Sequence, residues 1–65
     1  MINWGILGFG RMGSTFAEAI KETSNSKLIS IGSKSQKKSD VNITNDYEEV
    51  IKNKNIDAIY IATLN

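Results

Sequence analysis

The sequence predicts an α/β fold built on a parallel sheet, and two observations predict it. Apolar runs that read as strands alternate along the chain with segments of helical period. The first of these runs also leads directly into a glycine-rich turn that opens a helical segment. Strand–helix alternation of this kind implies right-handed crossovers between parallel strands.

The elements follow in order. Ile2-Asn3-Trp4-Gly5-Ile6-Leu7 is a short, mostly apolar run, the pattern of a strand covered on both faces. The turn Gly8-Phe9-Gly10-Arg11-Met12-Gly13 comes next. From Arg11 to about Glu22, Met12, Phe16 and Ile20 recur every four residues, with Ala17 and Ala19 nearby and Glu18, Lys21 and Glu22 as the polar face. On this period Met12, Phe16 and Ile20 are expected in the core. Thr23-Ser24-Asn25-Ser26 supplies a turn. Lys27 to Ile31 reads as the second strand, closed by Gly32-Ser33. Lys34 to Asp40 is polar and basic, without an apolar stripe. Val41 to Thr44 suits a short edge strand. Asp46 and Glu49 resemble a capping box at the start of a second helix whose apolar face is Tyr47, Val50 and Ile51. Asn53-Lys54-Asn55 ends that helix. Asp57 to Ala62 is a further strand, with Thr63-Leu64-Asn65 at its carboxyl end.

Composition limits what such a chain does. It has 65 residues, of which 40% are hydrophobic, a globular rather than a disordered balance. A chain of this length buries roughly 60% of the surface its unfolded form exposes, which leaves a single core marginal. There is no Cys and no His, so disulfides and the usual transition-metal ligands are excluded. Eight basic residues against seven acidic ones give a formal charge of +1, no basis for a nucleic-acid or anionic-membrane partner. No apolar run approaches the roughly 18–20 residues that span a bilayer. The first strand is expected to start at Ile2 with no leader before it, and the expected location is cytoplasmic.

The glycine-rich turn carries the chemistry. It follows a strand, opens a helix and lies inside a βαβ unit, the context that makes GxGxxG a dinucleotide-binding signal. Gly8 permits the tight turn out of the strand, Gly10 lets a pyrophosphate approach the backbone, and Gly13 lets the helix lie close on the strand. The N–H groups of Gly10, Arg11 and Met12, together with the helix dipole, form an anion site. Arg11 is either a phosphate ligand or a solvated side chain. The chain is therefore expected to be a partial Rossmann fold of three to four parallel strands with crossover helices, and residues 1–65 the amino-terminal part of a dinucleotide-binding domain.

Cofactor choice is read at the end of the second strand, where NAD-binding units often place a carboxylate on the ribose 2′-hydroxyl. Here that position is Ser33, in the run Gly32-Ser33-Lys34-Ser35, and no carboxylate follows until Asp40. A carboxylate repels a 2′-phosphate, whereas hydroxyls and a lysine attract it. The expectation is NADP rather than NAD, with Lys34 on the phosphate and Ser33 and Ser35 as donors.

Three segments, INWGILGFGRMGSTFAEAI, KLISIGSKS and DYEEVIKNKNIDAIYIATLN, resemble the amino-terminal domain of the Gfo/Idh/MocA oxidoreductases, and together they cover most of the chain. The resemblance implies that Ala62, Thr63, Leu64 and Asn65 line the cofactor near its pyrophosphate and nicotinamide half. It implies a parent activity on sugar- or polyol-like substrates. Leu64 replaces the family's usual proline, and the stretch between Ser35 and Asn45 is shorter than the family's second crossover. The family's catalytic lysine, in a Glu-Lys-Pro motif, would lie beyond Asn65, as would its substrate domain, so no lysine here is assigned that role. Two other readings stay open: a β-hydroxyacid-dehydrogenase-type cofactor domain, whose turn looks like GLGRMG, and a nucleotide-sensing module without chemistry. A third, a non-functional remnant, would expose an apolar sheet edge after Ile59-Tyr60-Ile61, inviting self-association.

Overall fold

The computed structural model describes residues 1–34 and 41–62; the expected site residues Ser35, Thr63, Leu64 and Asn65 lie outside the described residues. Among the described residues the order is β1 (Ile2–Leu7), α1 (Arg11–Lys21), β2 (Ser26–Gly32), β3 (Asn42–Thr44), α2 (Tyr47–Ile51) and β4 (Ala58–Ile61). All pairings are parallel, and the sheet order is β3-β2-β1-β4. This is an α/β partial Rossmann fold. The chain steps outward from β1 through β2 to β3, then crosses back to lay β4 on the other side of β1. That reversal puts a topological switch point between the carboxyl ends of β1 and β4, where open α/β sheets bind ligands.

Strand alternation sorts the side chains onto two faces. Ile6 of β1 and Ile31 of β2 are register partners, and both are fully buried in a cluster with Ala17, Ile20 and Leu28. Trp4, Phe16 and Tyr60 close the margin of this α1 face; Phe16 meets Trp4 edge-on at 5.0 Å and stacks on Tyr60 at 4.0 Å. Gly5 and Gly32 look the other way, toward Val50 of α2, which is fully buried. A register shift between Trp4 and Gly5 separates the two halves of the β1–β2 ladder. At the amino end of the sheet, Asp57 grips Asn3 twice: its N–H donates to the Asn3 carbonyl at 2.7 Å, and its carboxylate accepts from the Asn3 N–H at 2.9 Å.

Four sequence expectations shift. The buried stripe of α1 is Gly13, Ala17 and Ile20, and Met12 is 60% exposed. The reason is steric. Gly13 must face the strand because its neighbour there is the Gly8 carbonyl, and Met12, about 100° round the helix, is turned outward. Ile51, expected on the apolar face of α2, is likewise exposed. The capping box is half formed. Asp46 accepts from the Glu48 N–H at 3.0 Å, but its own N–H donates to the Thr44 hydroxyl at 3.1 Å rather than to Glu49. Thr44 reaches an N–H two residues on, a local alternative open to hydroxyl side chains. Strand limits differ from the expected ones by a residue: β2 gains Ser26 and Gly32, while Asp57 and Ala62 flank β4.

Candidate functional site

The glycine turn is shaped by three different constraints. Gly8 has φ +91°, a left-handed conformation that L side chains rarely adopt, and it is the one positive φ among the described residues. Gly13 has no room for a side chain, since a Cβ there would clash with the Gly8 carbonyl oxygen. Gly10 faces open space, with nothing within 4 Å of where its Cβ would be. The first two glycines build the turn, and the third leaves its outer surface clear for a ligand to reach the backbone.

Helix α1 starts uncapped. Gly10 is the N-cap and has no side chain to accept a hydrogen bond, and the first turn holds no acidic residue. The leading N–H groups of a helix have no intrahelical acceptor, and aligned peptide dipoles add a partial positive charge there. Exposed Arg11 adds a full one. Phe9 packs its ring on the core, so at the turn it offers its backbone. This end of the helix suits an anion, and the open surface over Gly10 fits a dinucleotide's pyrophosphate.

Backbone hydrogen bonds draw the strand ends into one rim. The Gly8 N–H donates to the Gly32 carbonyl at 2.7 Å, tying the turn to the end of β2. The Ser33 N–H donates to Thr44 at 2.8 Å, tying β2 to β3, and the Ala62 N–H donates to Leu7 at 2.8 Å, tying β4 to β1. Gly8 to Gly13, Ser33, Lys34 and Ala62, far apart in the chain, thus share the carboxyl edge of the sheet. Ser33 is buried and Lys34 is exposed. Sequence reasoning missed Tyr47 as a member of this rim. Its sequence pattern marks only the apolar face of a short helix, but the Lys34 Nζ lies 5.2 Å from the centroid of its ring. Only the pairing of β2 with β3 brings the two together, and no local pattern signals that.

An open apolar groove of about 310 Å³ runs beside α1, lined by Arg11, Met12, Thr15, Phe16, Ala19 and Tyr60. It flanks the glycine turn rather than covering it. Among the described residues no group of His, Cys, Asp and Glu is placed to hold a metal ion, and no helix is long and apolar enough to cross a membrane.

With this geometry in place, a family model matches the chain over residues 2–65: GFO_IDH_MocA, described as an oxidoreductase family with an NAD-binding Rossmann fold. No curated protein and no solved structure matches the chain.

Proposed function

The chain belongs to the Gfo/Idh/MocA oxidoreductase family, with its NAD-binding Rossmann fold, and from that premise we propose that it holds NADP in preference to NAD. In this reading the domain serves an oxidoreductase that acts on sugar- or polyol-like substrates, and residues 1–65 are the amino-terminal part of its dinucleotide-binding unit. The pyrophosphate rests on the backbone from Gly8 to Gly13, with Arg11 as a flanking cation. Lys34, with Ser33 and Ser35 beside it, takes the ribose 2′-phosphate. Ala62, Thr63, Leu64 and Asn65 line the half of the cofactor that carries the nicotinamide. When bound, that group supplies reversible two-electron redox chemistry; the residues of this chain bind and orient it.

The observation that carries the preference is the exposed Lys34 two residues past Gly32, the strand end that accepts from the Gly8 N–H, with Gly32 and Ser33 rather than a carboxylate before it. A fixed acid there would favour a ribose hydroxyl, and a cation favours a phosphate. Titration of the full chain with NADPH and NADH, read by cofactor fluorescence or calorimetry, tests this. NADPH is expected to bind the more tightly. Lys34→Asp is expected to weaken NADPH by roughly tenfold or more, the scale of one charge-assisted hydrogen bond, and to spare NADH. Equal loss of both cofactors, or an NADH preference in the parent chain, overturns the assignment.

A further inference from the structure

The proposed role of Lys34 raises the question of what holds its side chain in place. An ammonium on a flexible four-carbon stem sweeps a wide volume unless something retains it. Tyr47 is well placed to do so. Its ring centroid is 5.2 Å from the Lys34 Nζ, within the roughly 6 Å over which a ring's quadrupole attracts a cation. The ring is itself held. Tyr47 opens α2 directly after the Asp46 cap, and its Cδ1 lies where a Cβ on Gly32 would come within 3.0 Å. Gly32 is the last residue of β2, and its carbonyl accepts from Gly8. One glycine therefore admits the aromatic ring to the strand end and links that strand end to the glycine turn.

We infer that Tyr47 is a positioning residue for cofactor selection: its ring holds the Lys34 ammonium at the end of β2, where the 2′-phosphate of an adenosine ribose is to be recognised. The inference rests on the proposed reading of Lys34 and adds to it a residue that acts through that lysine.

The test is the ratio of NADPH to NADH affinity in the full chain, with NADH affinity reporting that the fold is intact. Tyr47→Phe keeps the ring and is expected to keep the ratio. Tyr47→Leu removes it, and the ratio is expected to fall roughly two- to fivefold, the size of an exposed cation–π contact, with NADH binding unchanged. Pentafluorophenylalanine at position 47 keeps the shape of the ring, reverses its quadrupole, and is expected to give the same fall; it replaces the Leu variant if that one does not fold. An unchanged ratio in the Leu or the pentafluorophenylalanine variant overturns the inference. So does a rise, which would mean the ring withholds the lysine from the phosphate. Lys34→Ala separates the two levels. If it leaves the ratio unchanged, the reading of Lys34 fails and Tyr47 falls with it. If it lowers the ratio while the Tyr47 variants do not, the role of Tyr47 alone fails.

Discussion

The two faces of the sheet solve one packing problem in opposite ways. On the α1 face the strands supply bulk through Trp4, Ile6, Leu28, Ile31 and Tyr60, and the helix sets the small residues Gly13 and Ala17 between its bulkier Phe16 and Ile20. On the α2 face the sheet is scooped out at Gly5 and Gly32, and the bulk comes from Tyr47, Val50 and Ile56. Both give close approach of helix to sheet, but tolerance differs. At Gly13 the opposing atom is a backbone carbonyl that cannot turn aside. At Gly5 the opposing atoms are the ends of side chains, which can. Close packing follows from complementary volumes, and which partner carries the small residue decides how rigid the fit is.

The largest expected effect breaks the α1 face. Gly13→Ala sets a Cβ against the Gly8 oxygen, so the helix must lift from the turn. A loss of about 3 kcal/mol is expected in urea unfolding, at the upper end of typical overpacking costs, together with loss of NADPH binding. A stability within experimental error of the parent would show the turn to be softer than its geometry indicates. Gly5→Ala probes the other face. Its Cβ would meet Val50 Cγ1 at 2.8 Å and Ile56 Cδ1 at 2.9 Å, and a loss of about 1–2 kcal/mol is expected. Adding Val50→Ala should relieve part of it, so that the double variant loses less than the two single losses summed. Strict additivity in unfolding experiments would argue against direct contact. The smallest effect on stability is expected at Gly10→Ala, where no atom lies within 4 Å. Its stability should stay within about 1 kcal/mol of the parent, an ordinary surface value allowing for the cap position, while NADPH binding weakens. Undiminished binding would remove Gly10 from the pyrophosphate surface.

Much of this was legible in the sequence because it is written locally. Ile2 to Leu7 announces a strand, and the three glycines announce a turn whose reasons the geometry bears out at Gly8 and Gly13. Met12 was misjudged because helical period fixes an apolar stripe only to within a residue. A contact from another element, the Gly8 carbonyl, chose Gly13 for the inner position. Glu49 was misjudged because Thr44, two residues before Asp46, competes for the same N–H. The Lys34–Tyr47 contact was beyond reach, since it depends on β2 pairing with β3 and on the empty space at Gly32.

The placement of β4 beside β1 also has a kinetic side. The bonds joining Asn3 to Asp57 close a separation of 54 positions, whereas β1 meets β2 across less than half of that. Loop closure costs more entropy as the loop lengthens, though only slowly, and chains dominated by distant pairings fold more slowly than chains rich in local ones. The parallel β1-α1-β2 unit closes the shorter loop, while the crevice at the strand reversal exists only where β4 lies on β1. A chain in which β4 has not docked on β1 would carry the glycine turn with no second wall to that crevice.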